Sequence, residues 1–321
     1  MVPVSNLDPH PDEVDLVDEP VAPDRGAPGP LAGRRVALGQ GTEVRRYLPT
    51  RRRATVGAWC FMDAYGPDDV SGGPGMRVGP HPHTGLQTAT WLQAGAVVHH
   101  DSLGNVGTIE PGQLNLMTAG SGVAHAEVSG TPHPRWLSGV QLWVALPAGA
   151  RRVPPAVAHH PDLGRADLGP VTATVLVGEL GGARSPAAVY SALVGAELAV
   201  GSGRAGVPLD PGFEHAALVL SGQVRLGDRP AGAGDAWYLG RGERRLVVEG
   251  DPSGVVLLLG GEPFTDPLVM WWNFVGGSDE EVRAAREDWE AGRRFGEVAG
   301  PGAGERMTAP PLPPGRLVVR R

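Results

Sequence analysis

The chain has 321 residues, a formal net charge of −7 and a hydrophobic share of 41%, enough for one large or two medium globular cores. All 28 basic residues are arginine, which excludes Schiff-base chemistry and a lysine general base. The single cysteine, Cys60, excludes an intrachain disulfide and a cysteine-based zinc site.

No basic cluster is large enough for direct nucleic-acid binding; Arg51-Arg52-Arg53 reads as a solvated loop. No charged segment followed by an apolar stretch marks a leader, and no run approaches the ~18 apolar residues of a membrane span. The expectation is a soluble, cytoplasmic protein with no membrane contact. The 49 Gly and 32 Pro exceed average usage and point to turns and short strands.

Residues 1–33 are rich in Pro and acidic side chains without a period, and read as a flexible tail. A first β-domain is expected over residues 34–150. Cys60 lies among Trp59, Phe61 and Met62, the setting of a buried, inert thiol. Leu86, Thr88, Thr90 and Leu92 alternate with Gln87, Ala89, Trp91 and Gln93, a strand pattern that ends at Gly95. Val97–His100, Leu114–Met117 and Val123–Val128 are further strands, separated by turns at 101–105 and 110–113 and by the Gly-rich 118–122. Val140, Leu142 and Val144 alternate with Gln141, Trp143 and Ala145 in another.

Residues 151–186 read as a linker. A second β-domain over 187–300 repeats the logic, with strands near Tyr190–Val200, Ala216–Leu220, Gly222–Leu226, Asp235–Leu239 and Leu246–Val248. Ser278-Asp279-Glu280-Glu281 is a capping box that opens a helix over 279–291, stopped by Gly292. Val282, Ala285 and Trp289 share its apolar face. Residues 301–321 form a loop-like tail. The architecture is all-β: two consecutive antiparallel barrels with a short C-terminal helix.

The chemistry concentrates in two doublets, His81-Pro82-His83 and His125-Ala126-Glu127. Side chains two apart on a strand share a face, so each doublet aims two ligands at one point. Two such strands facing each other give three imidazoles and a carboxylate, a set suited to a divalent first-row metal such as iron, with Ni, Cu, Mn or Zn as substitutes. Such a centre keeps open positions, as catalytic or sensing sites do. His10, His133, His159 and His160 sit in Pro-rich stretches and are expected to play no part. Trp271-Trp272 reads as packing between the barrels.

Gly75, then His81-Pro82-His83-Thr84-Gly85 and Gln87, then His99 to Asn105, then Pro111-Gly112-Gln113, then Met117 to Glu127 resemble the signature of the pirin family, a branch of the cupin superfamily. Val140 to Val144, Gly261-Glu262-Pro263, Asn273-Phe274-Val275 and Gly292 to Gly296 match it too, so the resemblance spans roughly residues 34–300. It implies a bicupin of two cupin barrels, with one Fe(II) in the first, held by His81, His83, His125 and Glu127, and a metal-free second barrel. It also implies quercetin 2,3-dioxygenase-like activity on O2 and a flavonol-like molecule, with Glu127 as the catalytic base. The alternative it implies is an iron-dependent redox sensor that binds a protein partner such as a transcription factor or a metabolic enzyme. His99 is expected to line the cavity or to hydrogen-bond a ligand from behind, and Met117 to shape the loop before the second doublet. The chain departs from the family at Thr84, where many members carry Arg, at Leu116, where Trp is common, and at Gln87, where a Glu is usual. Gln87 is expected on the face of His81 and His83, so a neutral amide would replace a carboxylate in the cavity.

Overall fold

The computed structural model describes residues 26–37, 43–50, 52–300 and 305–319, and most of the expected tail 1–33 lies outside them. Two barrels follow one another, each built from a seven-stranded and a four-stranded antiparallel sheet. In the first, the large sheet runs in space Ala156–His160, Leu114–Thr118, Leu86–Ala94, Trp136–Ala145, Trp59–Asp69, Glu43–Leu48, Arg34–Ala37. The small sheet is Arg77–His83, Val123–Val128, Val97–Asp101, Val106–Ile109. The second barrel repeats this order, with Gly203–Pro208 and Arg245–Gly250 standing where the first has Arg77–His83 and Val123–Val128.

The large sheets pack face to face and share a core, which explains the lack of a solvent-exposed face on their central strands. Along Leu86–Ala94, Ala89 and Trp91 point into this shared core, beside Leu114, Leu116, Val140, Leu142 and Val144. Leu176, Ala216, Leu218, Leu257 and Leu259 meet them from the second barrel. Trp59 is fully buried at the seam, its indole N–H shared between the carbonyls of Val194 and Gly260 at 3.1 and 3.2 Å. The other face of the strands closes the first barrel: Gln141 registers with Asp63 and Thr90, and Trp143 with Phe61 and Thr88.

Three sequence expectations need correction. The stretch 151–186 is no linker: Ala156–His160 is the edge strand of the first large sheet, and Gly164–Asp167 and Val171–Val177 belong to the second. His159 and His160 therefore lie on a strand rather than in a loop. Gly29–Pro30, assigned to a free tail, pairs with Tyr238 and Trp237 at the corresponding edge of the second barrel, and Leu31 enters the shared core. These edge strands carry no period because their pairing is long-range.

The helix spans Asp279–Glu290, and Ser278 Oγ accepts from Glu281 N at 3.3 Å. The Glu281 carboxylate reaches Gly277 N at 2.7 Å, so the box closes one residue early. Val282, Ala285 and Trp289 pack with Ala124, Trp271, Trp272, Phe274 and Phe295. The helix region, expected within the second barrel, thus returns to the first. Ala124 N donates to Phe295 O, and Met307 N from the C-terminal segment donates to Pro80 O beside His81.

Inside the first barrel Arg46 and Asp63 form a two-pronged ion pair, Nε to Oδ1 at 2.9 Å and Nη2 to Oδ2 at 2.8 Å, with both side chains at or below 5% exposure. The guanidinium lies 4.5 Å above the Phe61 ring. Removing one partner of such a pair leaves the other charge buried without its counter-ion. Asp63→Ala is expected to lower stability in urea by about 3 kcal/mol or more, and Arg46→Met with Asp63→Leu to restore most of it. A single variant as stable as wild type would contradict this role.

Candidate metal centre

The small sheet of the first barrel brings the doublets together. Arg77–His83 pairs with Val123–Val128 so that His81 faces His125. On the other side Val97–Asp101 sets Asp101 opposite His125 and His99 opposite Glu127. A register shift between His125 and Glu127 moves Glu127 opposite Val78, so the carboxylate approaches from one side of the histidine cluster. All six side chains are at most 2% exposed. Ligand-capable atoms of His81, His83 and His125 lie within 4.8 Å of one another, and those of His99, His125 and Glu127 do likewise. His125 is common to both groups.

The hydrogen bonds behind the imidazoles set which nitrogen is free. His81 Nδ1 lies 2.9 Å from Gly79 O, and His83 Nδ1 lies 3.2 Å from Asn273 O. Carbonyls only accept, so both Nδ1 atoms carry the proton and both Nε2 atoms present a lone pair. Asp101 extends the logic through His99. Its carboxylate takes His99 Nε2–H at 3.0 Å, leaving His99 Nδ1 to accept from His125 Nδ1–H at 3.4 Å. His125 Nε2 is then also a lone pair. Leu103 N and the Asn105 backbone and side chain fix Asp101, which explains the turn after His99-His100-Asp101. Burial pushes the Asp101 carboxyl up, but the bonds from His99 and Asn105 outweigh it and hold it ionised.

Three lone pairs therefore converge. His83 Nε2 and His125 Nε2 face each other at 3.1 Å, and His81 Nε2 and Glu127 Oε2 are buried with no hydrogen-bond partner among the described residues. Buried acceptors that face one another are costly unless a cation sits among them. Burial, aided by the neighbouring imidazoles, holds His83 and His125 well below the ordinary histidine range and His81 at about 4. All three are uncharged at neutral pH and ready to coordinate. These residues fit a divalent metal: Nε2 of His81, His83 and His125 with Glu127 Oε2 can hold one, and His99 and Asp101 orient His125 from behind.

Sequence reasoning missed the groups beneath Glu127. Thr90 Oγ1 lies 3.0 Å from Glu127 Oε1 and 3.0 Å from the Gln141 side-chain amide. One hydroxyl proton serves one acceptor, so Thr90 donates to Glu127 when Gln141 turns its amide N–H toward Thr90. Tyr65 is buried with its hydroxyl unpaired, and burial together with the Glu127 charge raises it well above the usual phenol range. The alternation of Thr88 and Thr90 was the available signal, but polar residues on a strand ordinarily mark a solvent face.

Met117 lies opposite Thr88 in an apolar wall with Phe61, Leu86 and Trp143. Gln87 does not share the face of His81 and His83. Gly85 adopts φ +67°, so the chain turns after His83 and the alternation restarts on the opposite sheet. The Gln87 amide donates to Thr118 Oγ1 at 2.9 Å and to Ala188 O at 3.0 Å, at the second barrel. A neutral amide there leaves the charge of the centre unchanged. In the second barrel the corresponding strands turn Ala205, Val207, Leu246 and Val248 inward. Glu214 and His215 fall on opposite faces of their strand: Glu214 takes Gly57 N at the seam, and His215 faces the barrel interior.

Comparison with known proteins gives a consistent result. Residues 41–144 match the family model described as Pirin, and residues 197–296 match the Pirin C-terminal cupin domain. A Pseudomonas aeruginosa protein named as a proposed quercetin 2,3-dioxygenase is 46% identical over 285 residues, covering 88% of this chain and 90% of that one. A pirin-like protein of Caulobacter vibrioides is 37% identical, covering 78% and 89%. The crystal structure of a quercetin 2,3-dioxygenase from Acinetobacter baumannii superposes with a TM-score of 0.84 at 39% identity, covering 91% of this chain and 97% of that one.

Without a cation, burial pushes the Glu127 carboxyl up to about 8 against the opposing bond from Thr90. Below that value it must lose a proton before it can coordinate, whereas the histidines are already neutral. Metal loading near pH 7 is expected to release about one proton per site, with affinity rising about tenfold per pH unit and levelling above about pH 8. Calorimetry in buffers of different ionisation heat measures this. Loading without proton release below pH 7 would show that Glu127 is already ionised.

Proposed function

The chain belongs to the pirin family, and on that footing we propose that its first barrel holds one Fe(II) and performs oxygenase chemistry of the quercetin 2,3-dioxygenase type. The observation that carries the reading is the convergence of three imidazole lone pairs and the unpaired Glu127 Oε2 in a buried pocket. Bound there, the metal supplies a Lewis acid for an enolic hydroxyl and a redox partner for O2.

The residues around it do the rest. Glu127 is the base: Thr90 holds Oε1 and so sets the carboxylate in place, from which it takes the proton of the substrate hydroxyl. Phe61 and Trp143 stack at 4.0 Å between ring centroids, and Trp143 stands edge-on to His83 at 5.1 Å. With Leu86 and Met117 they form a wall that excludes water and offers a flat, apolar face beside the ligands. That face suits a planar aromatic substrate with neighbouring hydroxyl and carbonyl oxygens.

Metal content of anaerobically purified protein and oxygen uptake on adding quercetin test the reading together. Wild type is expected to carry about one iron per chain and to consume oxygen, His125→Ala to lose the metal, and Glu127→Gln to lower the rate at least about 100-fold. Bound iron without oxygen uptake would leave the centre and overturn the oxygenase, and the redox-sensing regulator with a protein partner would take its place. Unchanged metal content in His125→Ala would overturn the ligand assignment itself.

A further inference from the structure

The open end of the second barrel holds a cavity of ≈570 Å³, between the hairpin 179–184, the segment 185–194 and the loop 208–213. Leu180, Val189, Leu193, Leu209 and Phe213 give it apolar walls, and His215 is set in them, with Ser185 and Ser191 also lining the space. His215 is 1% exposed, and among the described residues no hydrogen bond of ordinary geometry reaches its Nδ1. The ring occupies its place because residue 260 is glycine: a Cβ there would come within 2.5 Å of His215 Cδ2 and 3.0 Å of Nε2. Burial pushes the imidazole down to about 4 against the pull of the Asp210 charge and of the Phe213 backbone carbonyl, so at neutral pH it is uncharged, with one donor and one acceptor, and that carbonyl can take up the donor only. A buried imidazole with hydrogen-bonding capacity unused costs stability in the empty protein.

The inward positions of the neighbouring strands, Val207, Leu246 and Val248, supply no further ligand, so a metal does not fit. Glu179 and Arg184 neutralise each other at 3.0 Å across their hairpin. Asp210 then leaves the rim with a negative balance that disfavours anions. The volume lies in the range of small-molecule pockets. We propose that this cavity is a second binding site, distinct from the metal centre, for a neutral organic molecule with an apolar ring body and a hydroxyl that hydrogen-bonds His215. A hydroxyl both donates and accepts, so it satisfies the ring in either tautomer.

The probe is 2-naphthol, compared with naphthalene, each titrated with the full-length metal-loaded protein and followed by its own fluorescence anisotropy. Ala192 lines the cavity from an exposed position, so Ala192→Trp fills the mouth without disturbing the core. Wild type is expected to bind 2-naphthol saturably and about fivefold more tightly than naphthalene, the worth of one net hydrogen bond. Ala192→Trp is expected to abolish binding, and His215→Phe to bind both probes equally. Absence of saturable binding, binding that survives Ala192→Trp, or a preference for 2-naphthol that persists in His215→Phe would each overturn the proposal.

Discussion

The first barrel is organised around one constraint: buried imidazoles whose Nδ1 protons are already committed. The carbonyls of Gly79 and Asn273 take two of them, and the Asp101–His99 pair takes the third. The Nε2 atoms of His81, His83 and His125 are thereby left as lone pairs that no donor answers among the described residues. A fold that spends its own hydrogen bonds in this way accepts a local cost that a bound cation reverses. The supports come from distant parts of the chain. Asn273 lies beyond the second barrel, and the segment around Met307 bonds Pro80 between His81 and its Gly79 anchor. The return of the C-terminal helix region to the first barrel is therefore part of how the ligands are held.

The second constraint is the shared core. Because each large sheet is buried on both faces, one set of alternate residues glues the barrels together and the other fills an interior. The two interiors then differ in the side chains that the same strands turn inward. Where one has His81, His83, His125 and Glu127 on its small sheet, the other has Ala205, Val207, Leu246 and Val248. One barrel became a polar, metal-competent centre and the other an apolar one with a single buried imidazole at its mouth. The same architecture serves both because strand alternation lets an interior change without altering the seam.

Much of this was legible in the sequence. The doublets at 81–83 and 125–127 obey the period of a strand, and the capping serine at 278 marks the helix start. Gln87 was misread because alternation was carried across Gly85, whose left-handed turn ends one strand and hands the chain to the other sheet. Thr90, Gln141 and Tyr65 escaped notice because a hydroxyl or amide on a strand ordinarily faces water; only the pairing with Glu127 shows that it faces a ligand. The edge strands Gly29–Pro30 and Ala156–His160 could not be read locally, since each is defined by a partner far away in sequence.

The most direct test of the metal centre is X-ray absorption at the metal edge of iron-loaded protein, in wild type and Glu127→Gln. The account predicts three imidazole nitrogens and one carboxylate oxygen from the protein, with scattering from the oxygen altered in Glu127→Gln and the imidazole shells retained. A spectrum with fewer than three imidazoles, or one that Glu127→Gln leaves unchanged, would contradict it.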